Sequence, residues 1–192
     1  MSKDRLAAFM DAVLAIIMTI LVLELPKPDV VTAEAIWALR DTYLCYILSF
    51  FWLGTMWVNL HNEWQQIQII NKKVVWLGLV LLFVSSWIPY SISVVNIDPG
   101  NKLGQGLYGV SVLLVTFANL ALSTVLYRCH INLELCTIPR FHHILMVKYI
   151  PDITIKLIGL ALTLTVFPQA MMIAVLVAML WILIPVEKLI KN

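Results

Sequence analysis

Six apolar runs follow one another along the 192 residues, at 6–25, 42–60, 74–97, 107–127, 153–167 and 170–186. A backbone in hydrocarbon must satisfy its own N–H and C=O groups, so runs of this length and apolarity have one solution, the helix. With 61% hydrophobic and 12% charged residues, the chain carries more apolar surface than a soluble core of this size can bury. The expectation is an all-α integral membrane protein, a single domain over residues 1–192 with six transmembrane helices per subunit. The fifth run contains Lys156, and the segment 146–150 before Pro151 extends it across a kink. Only Pro168 and Gln169 separate the fifth run from the sixth, which predicts a tight antiparallel hairpin.

Loop charge gives an orientation. With the N-terminus inside, one side holds Lys3, Arg5, Lys72, Lys73, Arg128, Arg140, Lys148, Lys188 and Lys191, and the other holds Lys27, Arg40 and Lys102. Positive residues are retained on the cytoplasmic side, so both termini are expected there. The first run ends in Glu24-Leu-Pro-Lys-Pro28 and not in a small-residue cleavage site, which reads as a retained helix rather than a signal peptide. Residues 31–40, with Thr32 and Glu34 near the start, fit either a short helix at the outer interface or a plain loop.

Several function classes fall away. A net charge of +2, spread among loops, does not suggest nucleic acid. Cys45, Cys129 and Cys136 form no C-x-x-C pair, and together with His130, His142 and His143 their intervals match no standard zinc pattern. No metal or cofactor is expected. The helices hold no G-x-S-x-G or H-E-x-x-H arrangement, so the chain does not read as an enzyme. Leu107-Tyr108-Gly109 is a superficial echo of a carbonyl potassium filter. Asn119 and Ser123, at i and i+4, suit either an interhelical hydrogen bond or contact with a ligand, with packing the plainer reading, and Lys156 either snorkels or pairs with Asp152 four residues earlier.

The first run carries a carboxylate, Asp11, inside a stretch long enough to span a bilayer, where an ion is costly unless functional or paired. On a helical wheel Phe9, Ala12, Val13, Ile16, Thr19, Ile20 and Leu23 share one face, with Asp11 pointing away. Such a stripe by itself means packing or lipid contact. The spacing of Arg5, Phe9 and Asp11, however, resembles the R-x-x-x-F-S-D signature of the transmembrane protein 175 family of potassium channels. Met10 stands where that signature has serine.

The resemblance implies a homotetramer in which the first helix of each subunit lines a central pore, with Ile16, Thr19, Ile20 and Leu23 at the constriction. It also implies a polar network behind the pore, to which Arg5, Asp11, Asn59 and His61 correspond. A ring of isoleucines is a hydrophobic gate, and a cation must shed part of its hydration shell to pass it. Potassium holds water less tightly than sodium, so moderate potassium selectivity is expected, with potassium as permeant. Thr19 either replaces lost water oxygens or bonds the carbonyl one turn back. Glu24 either forms an acidic ring at the pore mouth or is a solvated helix end. The polar residues either pair or reach interfacial water. The expected function is a potassium channel of a bacterial cell membrane, partnered by its own copies and by lipid. The alternative is a proton-coupled secondary transporter using Asp11 and His61, against which stands the lack of visible repeats.

Overall fold

The computed structural model describes residues 2–65, 67, 69–131 and 145–183. Among these the chain is all helical: α1 (Lys3–Leu23), α2 (Ala33–Ala38), α3 (Arg40–Gln65), α4 (Lys72–Ser85), α5 (Trp87–Ile97), α6 (Lys102–Ile131), α7 (Ile150–Thr165) and α8 (Ala170–Leu183), with a π-helical turn at Leu145–Tyr149 leading into α7. Among the described residues four segments are long and apolar enough to cross a membrane: Lys3–Leu23, Arg40–Gln65, Lys72–Ile97 and Lys102–Arg128. The two remaining apolar helices, α7 and α8, form a hairpin. The Cys136, His142 and His143 positions and the end of the sixth run lie outside the described residues, as do the side chains of Cys129 and His130.

Hydrogen bonds at both ends record how the helices alternate. At one end Lys3 Nζ donates to the Ile67 carbonyl at 2.9 Å, joining the start of α1 to the end of α3. At the other, Asn96 Nδ2 donates to the Glu24 carbonyl at 2.7 Å and Lys102 Nζ to the Thr165 carbonyl at 2.8 Å. The ends of α1, α5 and α7 therefore share one end of the bundle with the start of α6. Between α1 and α3, α2 forms at residues 33–38, its first turn closed by the Thr32 hydroxyl accepting from the Ala35 N–H at 3.2 Å. The short-helix reading of residues 31–40 holds.

Two prolines shape the bundle. The third apolar run is two helices, broken at Ser86, because Pro89 has no N–H for the carbonyl of Ser85 four residues back. Pro151 likewise offers no N–H to the carbonyl of Val147. There the chain opens into the π-helical turn, and the indole Nε1 of Trp181 on α8 donates to Val147 O at 2.9 Å. A neighbouring helix thus restores a donor the proline removed.

The hairpin closes over very small residues. A Cβ on Gly159 would meet the Cβ of Ala174, and the Thr163 hydroxyl accepts from the Met171 N–H at 2.8 Å, capping α8. These contacts run in opposite chain directions, so the antiparallel pairing expected from the two-residue connection is present. The buried face of α7 is Asp152, Lys156, Gly159 and Thr163, polar or small throughout, while Ile150, Leu157, Ile158, Leu162 and Leu164 face outward. This inverts the pattern of a soluble amphipathic helix and suits a helix whose surroundings are lipid.

Candidate functional site

On α1 the two faces separate cleanly. Leu6, Met10, Leu14, Ile17 and Leu21, at spacings of three and four, are buried against the rest of the subunit. Met10 seats against Gly78 of α4, where an added Cβ would touch its sulfur, so the residue standing in the serine position is a packing residue here. The opposite face carries Phe9, Ile16, Ile20 and Leu23 on the subunit surface, with Ile16 57% and Leu23 77% exposed. Ala12 and Thr19 are exposed between them and Val13 sits at the border. The Thr19 hydroxyl donates to the Ile16 carbonyl at 2.8 Å, the local bond expected of a membrane threonine, while its oxygen lone pairs stay free to face outward. Glu24 follows at the helix end, half-buried, its backbone carbonyl held by Asn96.

The four polar residues expected to pair with one another do not do so within the chain. Asp11 Oδ1 instead accepts from Trp57 Nε1 at 2.8 Å, and His61 stacks on the same indole, ring centroids 5.5 Å apart, while its Nε2 meets Gln65 Nε2 at 2.9 Å. Trp57 is therefore the organising side chain. Its place one turn before His61 was the available signal. Arg5 is exposed near the start of α1. Asn59 falls on a different face of α3 and lines an internal cavity, because residues two apart on a helix point in different directions.

That cavity, of about 200 Å³, lies between α3, α6, α7 and α8. Its walls include Trp52, Thr55, Asn59 and Glu63 of α3, Thr116 and Asn119 of α6, and Tyr149, Asp152 and Lys156 from the π-turn and α7. Lys156 Nζ donates to Asp152 Oδ2 at 2.8 Å and to Thr116 Oγ1 at 2.9 Å, and sits 5.1 Å from the centroid of the Trp52 ring. Both partners of this ion pair are buried, their side chains 1% and 2% exposed. Toward the C-terminal end of α3, Glu63 Oε2 accepts from Ser123 Oγ at 2.7 Å and Oε1 from the Tyr149 hydroxyl at 3.2 Å. Of the two readings of Lys156, snorkelling or pairing with Asp152, the structure shows the pair, whereas the cavity is not expected from the sequence. Its signal is a polar stripe repeated on three helices: Thr55, Asn59, Glu63; Thr116, Asn119, Ser123; Tyr149, Asp152, Lys156.

Helices that turn polar side chains inward, apolar ones outward, and cross in alternating directions define a polytopic helical membrane protein. Within that class, residues 5–89 match the family model described as endosomal/lysosomal potassium channel TMEM175. A potassium channel of Chryseobacterium sp. is 34% identical over 129 residues, 67% of this chain and 67% of that protein. The endosomal/lysosomal proton channel TMEM175 of Gallus gallus is 27% identical over 119 residues, 59% of this chain and 24% of that one. In fold, the chain is similar to the crystal structure of a lysosomal potassium-selective channel TMEM175 homolog from Chamaesiphon minutus, with a TM-score of 0.70 at 19% identity over 94% of this chain and 98% of the other. The chain belongs to the TMEM175 family.

Proposed function

We propose that the chain is one subunit of a potassium-selective channel of a bacterial cell membrane, a homotetramer whose α1 helices surround an axial pore. The six-span arrangement, with the α7–α8 hairpin completing the membrane domain and both termini cytoplasmic, is part of this reading. The observation that carries it is the outward stripe of Ile16, Thr19, Ile20 and Leu23, uncovered on a helix whose other face is fully packed. Around a fourfold axis the same stripe forms stacked rings of branched side chains. Such rings exclude liquid water and admit the cation that sheds its hydration most readily. Asp11, held by Trp57, fixes the rotation of α1 against α3, and Glu24 at the far end concentrates cations at the mouth. The potassium channels among the relatives, and the proton channel of Gallus gallus, support ion passage as the activity. No enzyme chemistry and no cofactor enter this reading.

The test is potassium flux from liposomes holding the purified protein and its Ile16→Asn variant. The wild type is expected to pass potassium faster than sodium. Asparagine at the constriction wets it, raising flux and lowering the preference. Empty-liposome rates for both proteins refute the channel. A saturable flux coupled to protons moves the assignment to a transporter. A native mass near four subunits supports the axial pore, and a monomer removes it.

A further inference from the structure

The cavity inside the subunit has acceptors that the protein leaves unfilled. Asp152 Oδ1 and Asn119 Oδ1 are buried and meet no donor among the described residues. Asp152 is 2% exposed, and its second oxygen already holds the Lys156 ammonium. A buried carboxylate oxygen without a donor is costly, and so is a buried amide oxygen. Both atoms therefore call for an occupant that donates hydrogen bonds.

Charge narrows the choice. The walls carry two carboxylates, Glu63 and Asp152, and two amines, Lys148 and Lys156. Taken with their formal charges the four balance, so a bare cation adds uncompensated charge beside Lys156, and an anion has no donors at the two open atoms. The occupant is a neutral donor. About 200 Å³ is many times the ~10–15 Å³ that a single water requires, so the space holds several. One turn from Thr116 and Trp52 toward the starts of α6 and α3, Val112 and Ser49 are buried, Ser49 hydrogen-bonded to Tyr108 at 2.9 Å, and none of these three lines the space. At its other end stand Lys148 and the exposed Asn62.

We propose that each subunit contains a blind, water-filled chamber, open only at the end of the bundle that carries Lys3, Lys72 and Arg128, which brings water and small neutral hydrogen-bond donors to Asp152 and Asn119. It is a port into the subunit, separate from the α1 stripe and independent of whether ions pass along that stripe. Two barriers divide it from the opposite membrane face: the Lys156 ammonium over the Trp52 ring, and the packed layer of Val112, Ser49 and Tyr108 behind it.

Hydroxyl-radical labelling of the wild-type protein in lipid nanodiscs reads the water directly. Met56 lines the chamber, whereas Met10 and Met171 are buried in dry packing. Met56 is expected to oxidise at least several-fold faster than either. Equal rates overturn the proposal. Direction is read by single cysteines on a background of Cys45→Ala, Cys129→Ser and Cys136→Ser. A small membrane-impermeant thiol reagent is applied to inside-out and right-side-out vesicles. Asn59→Cys and Asn119→Cys are expected to react from the same one side, and Val112→Cys from neither. Reaction of Asn119→Cys from both sides makes the space a through passage and overturns the blind chamber. No reaction at Asn119→Cys, with Asn62→Cys reacting normally, makes the space dry and overturns the water. Neither readout measures ion flux, so a failed channel assay leaves it standing.

Discussion

Replacing Lys156 by methionine keeps most of the side-chain length and removes the charge. Asp152 Oδ2 then loses its 2.8 Å partner while Oδ1 has none, leaving a carboxylate at 2% exposure without any protein donor. Breaking a buried pair by removing one member costs about 3–5 kcal/mol, because the survivor's desolvation is no longer offset. The lost bond to Thr116 adds about 1 kcal/mol. Chamber water reaching Oδ1 offsets part of this, so the expected loss is about 3 kcal/mol, or roughly a hundredfold in the folded-to-unfolded ratio. Removing both charges, as Asp152→Leu with Lys156→Met, leaves nothing stranded and returns stability to within about 1 kcal/mol of wild type. Equilibrium unfolding in mixed micelles of the wild type, both single variants and the double variant gives the coupling directly. A coupling of about 2 kcal/mol or more is expected. If the two single losses simply add, the ion pair contributes nothing and the reasoning fails.

Other consequences are equally measurable. Gly159→Ala is expected to destabilise by about 1–3 kcal/mol, since its methyl would collide with Ala174, and Ala174→Gly in the same chain should recover much of the loss in thermal unfolding. Trp181→Phe removes the donor to Val147 O and should cost about 1 kcal/mol; added Pro151→Ala, which returns a backbone N–H, should shrink that cost, and an undiminished cost would disprove the substitution of one donor for the other. Tyr149→Phe deletes the hydroxyl shared by Glu63 and Ser123 and is expected to lower stability by about 1–2 kcal/mol, with Ser123→Ala in the same chain adding less than it does alone. Trp57→Phe frees Asp11 and should speed hydrogen exchange at the start of α1; unchanged exchange there would remove Trp57 as its anchor.

Helix existence was legible because it depends on the length of an apolar run, which composition states openly. Chain breaks were less so. Pro89 sits within an otherwise unbroken apolar run, and membrane helices tolerate proline, so only coordinates show that α4 ends at Ser85. At Pro151 the kink was readable, yet the donor from Trp181 comes from a residue thirty positions on and leaves no local trace. Periodicity set Phe9, Ile16, Ile20 and Leu23 of α1 on a different face from Leu6, Met10 and Leu14. Periodicity could not say which of two apolar faces turns inward. Asp11 illustrates the limit for polar groups: its need for a partner was clear from burial cost, but the partner is an indole, which hydropathy counts as apolar. The chamber escaped because each of its groups, taken singly, is an ordinary helix-end or packing residue. Only the alignment of three polar stripes across α3, α6 and α7 makes it.

The inverted face of α7 sets an order of events during biogenesis. A lysine at the centre of a lone helix costs about 2.5–3.5 kcal/mol to insert, and α7 carries Lys156 near its middle with Asp152 in its first turn on the same face. Trp52 of α3 and Thr116 of α6, which receive that ammonium, are translated earlier. On the six-span reading, the α7–α8 hairpin meets a bilayer that already holds the receivers of that ammonium, and a chain lacking α3 should insert the hairpin less efficiently.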